Sequence, residues 1–297
     1  MPPVLFAGID VGGTRTKAVL MVDDQVVTEV VRDTPPCLSS GFGTHVGQVL
    51  AELGERPTAV GVVVPGLVDD RSGLAVWSAN LGWRDLDVPA QVRSAVGIPA
   101  VAGHDVRAGL LGEVTYGAGR DCENVLFVPL GTGVASALLS AGAVVAGSPW
   151  TGEIGHVRAG TSQAVCGCGA RGCLEAVIGA RALAKRWQAM TGREGEVVDL
   201  TEAVAAGDAA SGELWAEAVA ALAQTLAPAV AVAGVERIIV GGGLSNAGEV
   251  LLAPLRHELA ERLPGRTVEV VTASLGDRAA ALGAVELARA AWTKGLS

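Results

Sequence analysis

The sequence predicts an α/β fold in which one pattern occurs twice, and three observations carry that expectation. Short apolar runs end in glycine-rich turns at three places: "VLFAGIDVGG", "NVLFVPLGTG" and "VERIIVGGG". Stretches of helical periodicity lie between them, as expected where helices cover a buried sheet. The opening order of strand, glycine turn, strand and helix is echoed in the second half of the chain.

Taken in order, "VLFAGIDVGG" is an apolar run closed by Asp10 and a glycine pair. "TKAVLMVDD" resumes with alternating apolar positions before an acidic turn, so the two read as antiparallel strands of a hairpin. Residues 43–54 are compatible with a helix. "AVGVVVPGLVD" (59–69) has an all-apolar centre that suits a strand buried on both faces. "IPAVAGHD" leads into the helical stretch "VRAGLLGEVTYG", and "NVLFVPLGTG" is then a second glycine-ended strand, followed by "VASALLSAGAVVAG". Residues 176–234 are alanine-rich with helical periodicity, 235–243 read as a further buried strand, 267–272 as another, and a last helix begins near 277. No Ser/Gly linker interrupts the chain, so the domain boundary is expected to be a hinge near residue 106. Residues 1–105 would form a small N-terminal α/β domain completed by the C-terminal helix 281–297. Residues 106–280 would form a larger α/β domain.

Composition narrows the function classes. At 297 residues, 50% apolar and 18% charged, the chain is expected to bury a substantial core. A net charge of -9, with 22 scattered Lys and Arg, repels nucleic-acid phosphates and anionic membrane surfaces. The start lacks a basic segment ahead of its apolar run, and no uninterrupted apolar stretch reaches the roughly 18 residues of a spanning helix. A cytoplasmic protein with small-molecule partners, and neither nucleic acid nor membrane among them, is expected. Five cysteines, three clustered and Cys37 and Cys122 isolated, do not resemble a secreted disulfide framework.

The glycine loops point to phosphate. Asp10, Gly12, Gly13 and Thr14 follow a strand directly, so backbone N–H groups can approach an anion closely. A tight hairpin turn would explain this loop alone. Gly131-Thr132-Gly133 and Gly241-Gly242-Gly243 also sit at strand ends, where α/β folds place ligands, and three such loops exceed what turns require. Neither a P-loop nor a dinucleotide-binding fingerprint is present.

"GHVRAGTSQAVCGCGARGCLE" (155–175) packs three cysteines into eight positions, ten residues after a histidine. His156, Cys166, Cys168 and Cys173 supply one imidazole and three thiolates, a set that suits tetrahedral Zn²⁺. Gly167, Gly169 and Gly172 permit the sharp turns that would bring the sulfurs together. The alternatives are buried thiols acting as small hydrophobes, or redox chemistry, which the absence of C-x-x-C and an unpaired third thiol weaken.

The order "IDVGGTRTK", "LGTG" and "VGGG" resembles the actin-like, hexokinase-type sugar kinase superfamily over nearly the whole chain. "GEIGH" followed by "CGCGARGCLE" resembles the paired signature of the ROK family, named for repressors, open reading frames and kinases. The resemblance implies two ribonuclease H-like (actin-like ATPase) domains with a ligand cleft between them. It implies ATP with Mg²⁺ on Asp10, Gly12, Gly13, Thr14, Lys17, Thr132, Gly133, Gly241, Gly242 and Gly243. It implies structural Zn²⁺ on His156, Cys166, Cys168 and Cys173, in the larger domain. Asp105, in "GHDVRAGLLGE", matches the family's catalytic aspartate, which as a general base takes the proton of the attacking sugar hydroxyl. Asn80 in "SANLGW", with His104, Asp105, Glu153, His156 and Glu175, corresponds to the sugar-binding residues. A homodimer or homotetramer is the implied assembly.

The chain departs from the family at Gly103 and His104, where Glu and Asn are usual, and at Ala135 and Ser136, where the family has further glycines. The expected activity is ATP-dependent phosphorylation of a hexose, glucose to glucose 6-phosphate. N-acetylmannosamine and fructose are alternative sugars, polyphosphate an alternative donor, and a non-catalytic sugar-binding or regulatory role the alternative class. A DNA-binding repressor is disfavoured by the acidic charge and by a first strand beginning at residue 4.

Overall fold

A computed structural model describes residues 3–36, 38–78 and 81–295. Strand β1 (Leu5–Val11) pairs antiparallel with β2 (Arg15–Val22), which pairs antiparallel with β3 (Gln25–Asp33). Helix α1 (Phe42–Glu52) then leads to β4 (Ala59–Val64), which runs parallel to β1. The apolar run at 59–69, expected as one strand, is two. Pro65 and Gly66 break it, with Gly66 at φ +101, and β5 (Leu67–Asp69) departs into a small antiparallel sheet with β6 (Leu74–Ser78) and β7 (Trp83–Asp87). Asp87 caps α2 (Val88–Val96) by accepting from the Ala90 N–H at 2.9 Å, and Gly97 ends it at φ +64. β8 (Ala100–His104) pairs parallel with β4, and α3 (Asp105–Tyr116) follows without a break.

The second half repeats this plan. β9 (Val125–Pro129), β10 (Ala137–Ser140) and β11 (Ala143–Val144) form an antiparallel meander. Helices α4 (Leu174–Ile178), α5 (Ala180–Thr191), α6 (Val197–Ala205) and α7 (Ala209–Ala233) precede β12 (Arg237–Gly241), and α8 (Glu249–Arg262) precedes β13 (Glu269–Thr272). The strand orders are β3-β2-β1-β4-β8 and β11-β10-β9-β12-β13, three antiparallel strands followed by two parallel ones in each sheet. The echo read in the sequence is therefore a repeated topology.

The chain divides into two compact units. The first runs from the N-terminus to Gly117 and takes in Ala146–Thr151 and everything from Asp277 onward; the second comprises Ala118–Val145 and Gly152–Gly276. A hinge near 106 does not describe this division, because α3 packs in the first unit against α9 (Ala279–Thr293). That packing is backbone on backbone. A Cβ on Gly283 would stand 1.8 Å from the Ala108 carbonyl oxygen, and one on Gly61 would stand 1.9 Å from that of Ala284. Helix α9 turns Ala281, Ala284 and Ala288 inward, so small side chains let it settle on the sheet.

In the second unit, α7 is long and apolar enough to cross a membrane by length and composition, although Glu213 and Glu217 interrupt its apolar run. Its Trp215, Leu222 and Leu226 are buried in the core of the unit, and Trp215 Nε1 donates to the Val250 carbonyl at 2.8 Å. Burial of this kind marks a core helix.

Gly61→Ala and Gly283→Ala should each lower stability by roughly 1–3 kcal/mol or more, since backbone must move to admit the methyl group. Gly212→Ala, inside α7 with open space around it, should be neutral or stabilise by about 0.5–1 kcal/mol. Urea midpoints test this, and equal midpoints for all three variants would contradict the close approach of α9.

Candidate functional site

The three glycine loops each present an exposed backbone tip: Gly13 and Thr14, Thr132 and Gly133, Gly242 and Gly243. In the first, the Gly12 N–H donates to the Arg15 carbonyl at 3.0 Å, closing the β1–β2 turn. Asp10, next to last in β1, pairs with Lys17. Burial raises the Asp10 pKa to about 6; Lys17 opposes the shift and Asp277 adds to it. Lys17 Nζ is itself paired with Asp277 at 2.9 Å. In the third loop, Gly242 at φ +76 lies on Leu130, whose carbonyl oxygen would be 2.4 Å from a Cβ there.

The β8–α3 junction places Asp105 at the carboxyl end of a parallel strand, where α/β folds bind ligands. Its Oδ1 accepts from the Val106 N–H at 2.7 Å, and about a quarter of the side chain (27%) is exposed. His104 is buried and acts as N-cap of α3, its Nδ1 accepting from the same N–H at 3.2 Å. Burial, with Arg107 nearby, lowers its pKa to about 3, so the imidazole is neutral. Its proton is then on Nε2, which lies 3.4 Å from Asp105 Oδ1.

Beneath this junction lies a clamp that the sequence reading missed. The Arg107 side chain is only 4% exposed, and its guanidinium donates to both carboxylate oxygens of Asp70, to the Val68 carbonyl at 2.9 Å and to the Thr151 carbonyl at 3.0 Å. Asp70 Oδ1 also accepts from the His104 N–H at 3.0 Å. One ion pair thus ties the β5–β6 hairpin and the loop ending at Thr151 to the residue preceding Asp105. The departure at Gly103 belongs to the same place, since a Cβ there would stand 2.9 Å from Leu287 Cδ1 and 3.5 Å from Asp70 Oδ1.

The cysteine loop converges as its glycines suggested. The ligand atoms of His156, Cys166, Cys168 and Cys173 all lie within 4.8 Å of one another. Cys168 and Cys173 Sγ are 3.8 Å apart, and Cys166 Sγ is 3.7 Å from His156 Nδ1. A disulfide would need about 2.05 Å. With Zn–S near 2.3 Å, a tetrahedral ion separates its sulfurs by about 3.8 Å, so the donor set and its spacing fit Zn²⁺. Gly169 (φ +88) and Gly172 (φ +75) supply the left-handed turns. Burial, followed by the neighbouring thiols, pushes Cys173 up to about 12, so a metal there has to displace a proton.

Around this cluster, Glu153 Oε2 is 3.9 Å from His156 Nε2, and Glu175 Oε2 accepts from the Val134 N–H at 3.2 Å. The Ser136 hydroxyl donates to the Gly152 carbonyl at 3.3 Å, so this departure from the family turns into the fold rather than toward the loop tip.

The first unit therefore carries Asp10, Gly12, Gly13, Thr14, Lys17, His104 and Asp105. The second carries Thr132, Gly133, Gly241, Gly242, Gly243, Glu153, Glu175 and the four residues of the cluster. Asn80 lies outside the described residues. Asp70 was legible only in part: "VDD" marks a turn, but nothing in the sequence joins it to Arg107, 37 positions away.

The ROK family pattern matches residues 6–291. A glucokinase of Thermotoga maritima is 30% identical over 312 residues, covering 97% of this chain and 98% of its own. Among solved structures, a ROK family glucokinase from Streptomyces griseus in complex with glucose and AMPPNP superposes with a TM-score of 0.83. It is 29% identical, and the match covers 96% of this chain and 99% of that one. A ROK hexokinase from Thermus thermophilus gives a TM-score of 0.85 at 27% identity, covering 98% of this chain and 100% of that one. These likenesses show the actin-like ATPase fold of ROK glucokinases.

Asp70→Ala should cost roughly 3–5 kcal/mol, because it leaves a buried guanidinium without its counter-charge. The double variant Asp70→Ala/Arg107→Met should lose less than the sum of the single changes, since the two share one interaction. Urea denaturation measures both, and a loss under about 1 kcal/mol for Asp70→Ala would contradict the clamp.

Proposed function

The chain belongs to the ROK family, and we propose that it transfers the γ-phosphoryl group of ATP to a hexose hydroxyl, converting glucose to glucose 6-phosphate. The observation that carries this reading is the partly exposed Asp105 carboxylate at the end of β8, held by the Val106 N–H in the first turn of α3. In the proposed reaction this carboxylate takes the hydroxyl proton. The sugar oxygen forms a bond to the γ-phosphorus, and the bond to the ADP oxygen breaks. His104 keeps its capping role beside Asp105 and, with Asn80, Glu153, His156 and Glu175, is assigned to recognition of sugar hydroxyls. The glycine loops with Lys17 are assigned to the nucleotide. Asp10 is assigned to the Mg²⁺ that accompanies ATP, as a carboxylate at a strand end beside the first loop. The cluster of His156, Cys166, Cys168 and Cys173 would hold one Zn²⁺, which supplies folding energy and no chemistry to the transfer. A cytoplasmic homodimer or homotetramer is part of the same proposal.

A coupled assay with ATP and Mg²⁺ over glucose, N-acetylmannosamine and fructose, with polyphosphate as a second donor, tests the reaction. Glucose should give the highest kcat/KM. Asp105→Asn should lower kcat by about 10²- to 10⁴-fold with glucose binding retained. Near-normal turnover in that variant would move the base elsewhere. No turnover of any sugar by the native chain would favour a sugar-binding role.

Asp10 gives a pH prediction. Its pKa is about 6 in the fold against 3.8 ordinarily. At pH 7 the carboxylate is ionised in both folded and unfolded chains, and the raised pKa corresponds to a net cost of about 3 kcal/mol for holding the charge in the fold, burial being the largest cause. As pH falls through 6 the folded form takes up a proton first, so stability rises between pH 6 and about 4. Asp10→Asn should therefore raise the melting temperature at pH 7 and have little effect near pH 4. In the native enzyme, kcat/KM for Mg·ATP should fall below about pH 6. A variant no more stable than the native chain at pH 7 would contradict the buried charge.

A further inference from the structure

We propose that the metal cluster and the second glycine loop are coupled through the Glu175 carboxylate, so that metal occupancy sets the affinity for nucleotide. This rests on the reading that the cluster holds Zn²⁺ and that Gly131–Gly133 cradles phosphate.

Two elements carrying ligands close on one residue, Val134, at the foot of the loop. Glu175 Oε2 accepts from the Val134 N–H at 3.2 Å, while its Oε1 lies 3.8 Å from Cys166 Sγ. On the other side, Gly155, which precedes His156, packs on the Val134 carbonyl. That oxygen would stand 2.0 Å from a Cβ at Gly155, so only glycine fits. Helix α4 adds a third connection. Its N-cap is Cys173, and just past its end the Ala180 N–H donates to the Gly131 carbonyl at 2.8 Å. The contacts continue beyond the loop: the Leu130 N–H donates to the Gly241 carbonyl at 2.8 Å, and the Leu244 N–H donates to the Leu130 carbonyl at 3.0 Å. His156, Cys166 and Cys173 are thus each one or two contacts from the second loop, and through it from the third.

The physical consequence is entropic. Thr132 and Gly133 are exposed, and a loop of this composition has to be ordered when a phosphate binds. A buttress held by a metal places part of that ordering ahead of binding. Glu175 is then a positioning residue for the nucleotide loop, in addition to any contact with sugar, because its carboxylate occupies the Val134 N–H and fixes the turn.

Calorimetric titration of AMPPNP with Mg²⁺, in the absence of sugar, tests this on native protein, Glu175→Ala and Glu175→Gln, with zinc content measured for each. Zinc-replete Glu175→Ala should bind AMPPNP about tenfold more weakly than the native chain, and so should native protein stripped of metal by a chelator. Stripping Glu175→Ala should add less than stripping the native chain, since the same connection is already cut. Glu175→Gln, whose amide oxygen still accepts from the Val134 N–H, should fall between and serves should the alanine variant fail to fold. Native affinity in a zinc-replete, folded Glu175→Ala overturns the coupling, as does unchanged affinity in the metal-stripped native chain. Native protein that holds no zinc, or binds no AMPPNP, overturns the proposed function on which the coupling rests.

Discussion

Three sulfurs and an imidazole nitrogen within 4.8 Å of one another impose the constraint that shapes the working surface of the second unit. The segment from Val157 to Cys173 has almost no core of its own. Val157 and Val165 are exposed, Ala159 reaches the main core of the unit, and Cys166, Cys173 and Ala176, with Ala164 against them, form a small separate cluster. Its backbone bonds are those of tight turns, such as Gly169 N–H to the Cys166 carbonyl and Cys166 N–H to the Ala170 carbonyl, and of two isolated bridges, Arg158 with Cys173 and Val165 with Arg171. A segment that buries so little apolar surface cannot offset its own ordering entropy. A bound ion can, because its binding free energy is folding free energy. Glu153, His156 and Glu175 flank this segment, so their placement depends on it.

The first unit solves the corresponding problem with packing and charge. Helix α9 lies on the backbones of α3 and β4 through glycine and alanine, which fixes the position of α3. The Asp70–Arg107 pair then anchors the turn at which α3 begins. Arg107 has four acceptor atoms for its buried guanidinium, which is what makes the burial tolerable. Asp105 gains a defined position without being locked into the core, as the proton-accepting role proposed for it requires. Asp10 is in the opposite situation, for its burial is costly at neutral pH and the enzyme keeps it at the strand end nonetheless. Charge held at a cost beside the loop proposed to bind phosphate fits the usual trade between stability and activity.

Much of this was legible in the residues. The glycine-ended strands, the repeated order and the convergence of His156 with the three cysteines were each visible because one local feature, strand end or ligand spacing, sufficed. Elements whose signal is weak or shared were not visible. β3, "QVVTEVVRD", alternates but lies at a sheet edge with charge on both faces, and β6 and β7 are short and broken by turns. α2 carried its own start and stop in Asp87, Pro89 and Gly97, so there the signal was present and unused. The domain division escaped because it is made by contacts between residues far apart in sequence, such as Gly112 with Ala279. The Asp70–Arg107 clamp and the Glu175–Val134 bond escaped for the same reason.

The central claim is that one metal ion orders residues 154–175. Zinc K-edge absorption on freshly purified active protein measures this directly. The account predicts one zinc per chain, with three sulfurs at about 2.3 Å and one nitrogen at about 2.0–2.1 Å. Active protein that contains no metal, or a spectrum of oxygen ligands alone, would contradict it.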